Sequence, residues 1–249
     1  MILILLFLFG LIFGSFISAL TWRYPKGISI GKGRSICPNC KHQIGWRDNI
    51  PLLSFILLAG ECRHCRKTIS RRYPVIELAT GIGFVVIGYF ATNTQGLSLS
   101  VYSIFILVLF LVLEAIFIVD LEHQIIPDSF VFAGLLVLIL NSKFFILNSI
   151  FAGFLAATLL LLIHLFTKGR GMGLGDVKFA VLGGLLVGPK LLLVWLFLAF
   201  LTGAIVGIIL ILGRRARLKS QIAFGPFLVL AIPLAILYGE KILVWININ

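Results

Sequence analysis

Asp120 and Asp176 are the residues whose type and setting point most directly to chemistry. Asp120 closes the apolar run of "IVDLEHQIIPD", and Asp176 follows alternating glycines in "GMGLGDVK", directly before another apolar run. A carboxylate at the edge of a membrane segment is costly enough to be a functional candidate by default. Two carboxylates at one depth form a dyad in which like-charge repulsion keeps one protonated and the other ionised. The ionised member takes a proton from water as it attacks a peptide carbonyl, while the protonated member polarises that carbonyl. This is aspartic-protease chemistry, and it requires no metal. Gly173 and Gly175 suit a supporting loop, because glycine opens φ > 0 and lets the main chain approach a partner and an extended substrate. The simpler alternative is that Asp176 only caps a helix.

A second constellation is made of thiols. All four cysteines lie in one stretch, Cys37 with Cys40 and Cys62 with Cys65, and 21 residues separate the two Cys-x-x-Cys units. Such pairs converge four thiolates suited to tetrahedral zinc, although the gap slightly exceeds the usual ribbon range. Disulfides or a redox dithiol are the alternative, and no thioredoxin-like alternation of strand and helix surrounds the pairs. Four thiolates complete a closed site without His42 or His64. A soluble insert of about fifty residues is marginal as a core of its own, so a metal staple has a scaffolding role.

The elements that must carry these groups are read from composition. The 249 residues are 60% hydrophobic and 12% charged, with a mean hydropathy of +1.14, which argues against a water-soluble globular domain. The pattern predicts an all-α polytopic membrane protein with about eight transmembrane helices: 1–21, 73–91, 99–119, 128–142, 145–167, 175–188, 190–212 and 224–246. The fourth and sixth are short and begin beside Asp128 and Asp176, so they are expected to start inside protein or a water-filled recess. The first lacks a basic n-region and a small-residue cleavage site and reads as a retained helix. Its Gly10, Gly14 and Ser18 recur every fourth residue and form a face for close helix packing. The domain organisation expected is a first helix over 1–21, a cytoplasmic zinc-binding insert over 22–72 and a seven-helix membrane domain over 73–249 that carries the dyad.

Net charge is +12. With the N-terminus outside, the loops 22–72, 120–127, 168–174 and 213–223 share one side. That side holds 18 Lys and Arg residues, counting Lys178, while Lys143, Lys190 and Lys241 are the 3 on the other. The split is a positive-inside signal that makes the basic side cytoplasmic. Membrane topology and anionic lipid account for the basic excess, so nucleic acid is not expected as a partner. Asp120 ends the third span going inward and Asp176 begins the sixth going outward, which puts both at the cytoplasmic surface. The reducing cytoplasm favours metal over disulfides. Asp128, after Pro127, reads as a helix cap. Glu77 lies near Arg71 and Arg72, where a local ion pair and a functional role are both open. Glu114 lies inside the bundle, and His123 and His164 read as structural or surface residues.

These motifs together resemble the bacterial type IV prepilin peptidases, the leader peptidase and N-methyltransferase family with the GxGD pattern of aspartic membrane proteases. The likeness covers nearly the whole chain: "FGSFISALTWRYP", "RSICPNCKHQIGWRDNIPLLSFILLAGECRHCRKTISRRYPVIE", "IVDLEHQIIPD", "GMGLGDVK" and "AFGPFL". It implies that Asp120 and Asp176 are catalytic and that Cys37, Cys40, Cys62 and Cys65 form a zinc ribbon. It further implies cleavage of the basic leader of type IV prepilins or pseudopilins at the inner face of the bacterial cytoplasmic membrane. N-methylation of the new N-terminal residue would follow, with S-adenosylmethionine as donor. No soluble stretch could hold a Rossmann methyltransferase with its glycine fingerprint, so the donor site is unassigned. Asp48, Glu61 and Glu122 are candidates for contacts to the leader, whose mature end is an apolar helix expected to enter from lipid.

Two readings from other classes compete. A proton- or cation-coupled transporter also uses intramembrane carboxylates and broken helices, but the halves show no internal repeat and both aspartates sit at one face. A non-catalytic zinc-ribbon scaffold of a secretion machine leaves the aspartates unexplained.

Overall fold

A computed structural model describes residues 1–29, 31, 34–95, 101–140, 147–215, 220 and 222–246. Lys32, Lys143, Arg217 and Lys219 of the charge count, and the loop 96–100, lie outside the described residues. Among the described residues there are eight α-helices: α1 (Ile2–Arg23), α2 (Leu53–Leu57), α3 (Arg72–Gln95), α4 (Val101–His123), α5 (Asp128–Leu140), α6 (Leu147–Phe166), α7 (Leu174–Leu212) and α8 (Gly225–Trp245). Six of them are long and apolar enough to cross a membrane, and α5 is a shorter apolar helix. The chain is all-α, with isolated bridges and no strands among the described residues.

The largest difference from the eight expected spans lies in α7, which is 39 residues long. An uninterrupted helix of that length would reach about 58 Å at 1.5 Å per residue, nearly twice a hydrocarbon core of about 30 Å. Gly188 breaks it at φ 75° and ψ 173°, followed by Pro189. Glycine reaches that conformation without a Cβ clash, and proline withholds the N–H the ladder would need. Trp195, fully buried, lies against Gly183, so the second half of α7 turns back along the first. The two halves are the sixth and seventh expected spans. Elsewhere boundaries move by a turn: α4 continues to His123, so Asp120 lies inside its last turn instead of ending the span.

By internal contacts the chain forms two units, Met1–Leu111 and Val112–Asn249. In the first, α1 packs on α3 along the predicted small-residue face. A Cβ at Gly10 would lie 2.7 Å from Gly81 Cα, and one at Gly14 would lie 2.7 Å from Glu77 Cα, so the backbones meet where lipid-soluble helices gain contact most cheaply. The Arg72 guanidinium closes the end of α1, donating to the Ser18 carbonyl at 2.8 Å and to Thr21 Oγ1 at 2.6 Å. In the second unit α6, α7 and α8 pack in sequence. Gly184 meets Ala152 and Gly153, and Trp195 Nε1 donates to the Leu228 carbonyl at 2.9 Å.

Candidate active site and candidate metal centre

The two aspartates arrive from different helices and are held in the same manner. Asp120, in the last turn of α4, is 4% exposed, and Asp176, in the first turn of α7, is 8% exposed. Asp120 Oδ2 accepts the backbone N–H of Gly225 at 2.9 Å, and Asp176 Oδ2 accepts that of Gly173 at 3.0 Å. Such charge-assisted bonds orient a carboxylate and offset part of the cost of its burial.

The chain builds the Asp176 donor with a sequence of local contacts. After α6, Lys168 and Gly169 turn left-handed at φ 51° and 76°, and the Gly169 N–H returns to the His164 carbonyl at 2.8 Å. Thr167 Oγ1 accepts the Gly171 N–H at 3.1 Å. His164 Nδ1–H donates to the Met172 carbonyl at 2.7 Å, which gives the predicted structural histidine a definite task. Gly173 then stands at the N-cap of α7, and Asp176, three residues on, bonds back to its N–H. The capping alternative is therefore realised in Asp176, and it engages one carboxylate oxygen.

Ile126 joins the two halves of the site. A Cβ on Gly175 would lie 3.1 Å from Ile126 Cβ, and one on Gly225 would lie 3.0 Å from Ile126 Cδ1 and 2.6 Å from Asp120 Oδ2. The expectation that Gly173 and Gly175 adopt φ > 0 is corrected: Gly173 is extended at φ −79° and Gly175 is helical. Their contribution is the missing Cβ, which lets Asp176 Oδ2 and Ile126 approach. Gly225 and Ile126 escaped the reading of the sequence. The available signal was the Gly-Pro pair that opens the last span.

Other acidic residues have separate partners. Asp128 lies in the first turn of α5, and its carboxylate accepts from Lys178 Nζ at 2.7 and 2.9 Å, tying α5 to α7. Glu77, buried in α3, accepts the N–H of Leu52 at 2.8 Å and so holds one of the insert's positive-φ residues, at φ 58°. Asp48 forms a two-pronged pair with Arg63 at 2.7 to 3.2 Å. Those hydrogen bonds hold its carboxyl below the usual carboxylate range and engage it within the insert.

The cysteines converge. The four Sγ atoms of Cys37, Cys40, Cys62 and Cys65 lie within 4.8 Å of one another, and Cys37 and Cys65 are 3.9 Å apart. Zn–S bonds of about 2.3 Å in a tetrahedron require sulfurs about 3.8 Å apart, so the donor set fits that ion. Two equivalent knuckles make the set. The Cys37 and Cys62 amides bond to the carbonyls of His42 and Lys67, each at 2.9 Å. Lys41 and Arg66 turn left-handed at φ 59° and 54°, and bridges pair Ile36 with Gln43 and Glu61 with Thr68. The Cys40 amide pointing at the Cys37 sulfur lowers that thiol to about 7, while burial and the three neighbouring sulfurs push Cys40 up to about 11. The His42 and His64 rings stack on each other, 3.4 Å between centroids, outside the sulfur cluster.

Comparison with known proteins places the chain in a family. Residues 8–91 match the bacterial peptidase A24 N-terminal domain, and residues 105–208 match the type IV leader peptidase family. A prepilin leader peptidase/N-methyltransferase of Aeromonas salmonicida is 34% identical over 97% of this chain and 92% of its own length. The chain belongs to the type IV leader peptidase family. Relatives of the same name in Bacillus subtilis and Pseudomonas aeruginosa are 32% and 31% identical, covering 96% and 94% of this chain and 95% and 90% of their own. No solved structure matches the chain significantly. Along the chain the cysteines fall in the first matched segment and both aspartates in the second, whereas Gly225 lies beyond either.

Proposed function

We propose that this protein is an aspartic endopeptidase of the bacterial inner membrane that removes the leader of type IV prepilins or pseudopilins and N-methylates the new N-terminal residue. One observation carries the peptidase reading: two buried carboxylates from separate helices, each fixed at Oδ2 by a single backbone N–H. In the reaction the ionised carboxylate takes a proton from a water molecule as its oxygen bonds to the peptide carbonyl carbon. The protonated carboxyl hydrogen-bonds to the carbonyl oxygen. Collapse of the tetrahedral adduct breaks the C–N bond, and the proton passes to the departing amine. The names of the relatives support prepilin as substrate.

The insert, residues 22–72, is assigned a structural zinc on the donor geometry of its thiols. The membrane segment 73–249 carries the dyad, and 1–21 is the first helix. When bound by Cys37, Cys40, Cys62 and Cys65, zinc would cross-link the two knuckles of the insert. S-adenosylmethionine as methyl donor follows from the relatives' name alone, and no residue is assigned to it. The charge distribution supports an outside N-terminus, with the insert and both aspartates at the cytoplasmic face. Incubation of the purified protein with a prepilin in detergent, followed by mass analysis, tests the proposal. A leaderless product carrying one added methyl group is expected. An unchanged prepilin would overturn the peptidase reading, and a cleaved but unmethylated product would remove the second activity.

A further inference from the structure

Between Asp48 and Glu61 the insert has no charged side chain, and residues 50–59 are apolar except for Ser54. An apolar stretch of about 10 to 14 residues is too short to cross a bilayer and forms either a core helix or a re-entrant segment at the interface. This one is no core helix. The helix α2 within it contains no buried residue, and Ile56 and Leu57 are 70% and 74% exposed. A contiguous apolar surface of this kind marks a contact with lipid or with another molecule.

One hydrogen bond fixes the depth of the run. The Leu52 N–H donates to Glu77 Oε2 at 2.8 Å, and Glu77 lies within the apolar span Arg72–Thr92, about 7.5 Å along the helix axis from Arg72. Glu77 packs in turn near the middle of α1, where a Cβ on Gly14 would be 2.7 Å from Glu77 Cα. Leu52 is thus anchored beside two spanning helices, inside their ends. Within two residues of these contacts α1 and α3 leave Phe16 and Val75 exposed, the surface that a spanning helix offers to acyl chains. Main chain at such a depth must satisfy its own polar groups. The run does so. The amides of Leu53, Ser54, Ile56, Leu58 and Ala59 bond to carbonyls within residues 50–56 at 2.6 to 3.0 Å, and Ser54 Oγ donates to the Ile50 carbonyl at 2.7 Å. Just before the run, Trp46 is 75% exposed with the Arg47 guanidinium 5.3 Å from its ring, a combination of aromatic body and basic head suited to the membrane–water interface.

We infer that residues 50–59 form a re-entrant segment whose Leu53, Ile56 and Leu57 side chains lie among the phospholipid acyl chains of the leaflet at which the insert sits. Acyl chains are favoured over a second protein as occupant because the tether to Glu77 sets the run at a depth where α1 and α3 also turn apolar side chains outward. The inference uses the membrane spans and does not depend on the peptidase reading. It gives the buried Glu77 a task, that of receiving the amide at which the segment enters. On this reading only the knuckles on either side of the run stand in water, and the sulfur cluster is tied to the membrane surface.

The test uses the full-length protein in liposomes of phosphatidylethanolamine and phosphatidylglycerol that contain a phospholipid with a diazirine in its acyl chain. After illumination and digestion, mass analysis of the wild type is expected to find label on peptides from α1 and α3 and on the peptide holding Leu53, Ile56 and Leu57, and none on the knuckles at 35–44 and 61–69. Ile56→Glu combined with Leu57→Glu should abolish the label in 50–59 and leave that in α1 and α3, because a carboxylate resists transfer into hydrocarbon. If that variant does not fold, the wild-type pattern decides. Unlabelled 50–59 beside labelled α1 and α3 would overturn the re-entrant segment, as would equal label on the knuckles or undiminished label in the folded variant. Loss of the 50–59 label on addition of excess prepilin would mark a protein as occupant and also overturn it. Absence of label from α1 and α3 as well would defeat the membrane placement itself and take the segment with it.

Discussion

A carboxylate that shares a reaction with another cannot be replaced by its amide, because Asn keeps the shape but cannot exchange the proton. Asp120→Asn and Asp176→Asn are each expected to lower the cleavage rate by at least about 10³-fold, with the double variant no worse than either, since members of a catalytic unit are not additive. Retained helicity and melting temperature would show that folding survives. Asp128→Asn is the control. Its ion pair with Lys178 is more than half exposed on both sides, so about 0 to 1 kcal/mol of stability and little activity should be lost. A third substitution probes the anchor: the Cβ of Gly225→Ala would press on Asp120 Oδ2 from 2.6 Å. Steady-state assays should then show kcat reduced by about 10- to 100-fold with KM nearly unchanged; a raised KM at full kcat would reject the positioning role. At this scale the acids and thiols were legible because each needs a particular side chain. Gly225 and Gly173 were not, because what they provide is a main-chain amide that every residue but proline possesses.

The insert is the element whose stability depends most on its side-chain chemistry. Metal analysis is expected to find one zinc per chain, and Cys37→Ser with Cys40→Ser should remove it and raise proteolysis of residues 34–72, with methylation falling at least as much as cleavage. Full zinc content in that variant would refute the ligand assignment. The Asp48–Arg63 pair adds a pH-dependent contribution with a definite sign. The folded carboxyl titrates below its unfolded value of about 3.9, so the pair stabilises the insert above that pH and ceases to as pH falls through the folded value. Asp48→Asn should therefore be less protected from hydrogen exchange than wild type at neutral pH, and the difference should fade as pH falls from about 3.9 through the folded value. The spacing of the cysteines announced the four-sulfur cluster, but the internal repeat of the knuckles went unread. Its signature is short, a basic residue after each pair and an isoleucine three positions further, Ile44 and Ile69, and most of it is backbone geometry. Helices were read nearly whole, since hydropathy reports burial in lipid directly. Their last turns were missed where polar residues such as Glu122 and His123 continue α4.

For the molecule as a whole, sidedness is the property that charge alone can set. Single-cysteine labelling in a background lacking the native thiols is expected to find positions near Lys168 and Arg170 accessible from the cytoplasm and positions near Lys190 and Glu240 from outside. The last two residues already pair across α7 and α8 at 2.8 Å. Cytoplasmic labelling at Lys190 would contradict the orientation. Gly188 gives this arrangement an unusual dependence on a single dihedral. The second half of α7 returns toward the face that its first half left because Gly188 breaks the helix at a positive φ. Were that residue to straighten the helix, the amide of Gly225 would be delivered to the opposite leaflet from the carboxylate that needs it. A conservative-looking change at Gly188, about as far from the aspartates as α7 allows, would thus act like a strand exchange in a knot, leaving each helix intact while making the site impossible to assemble.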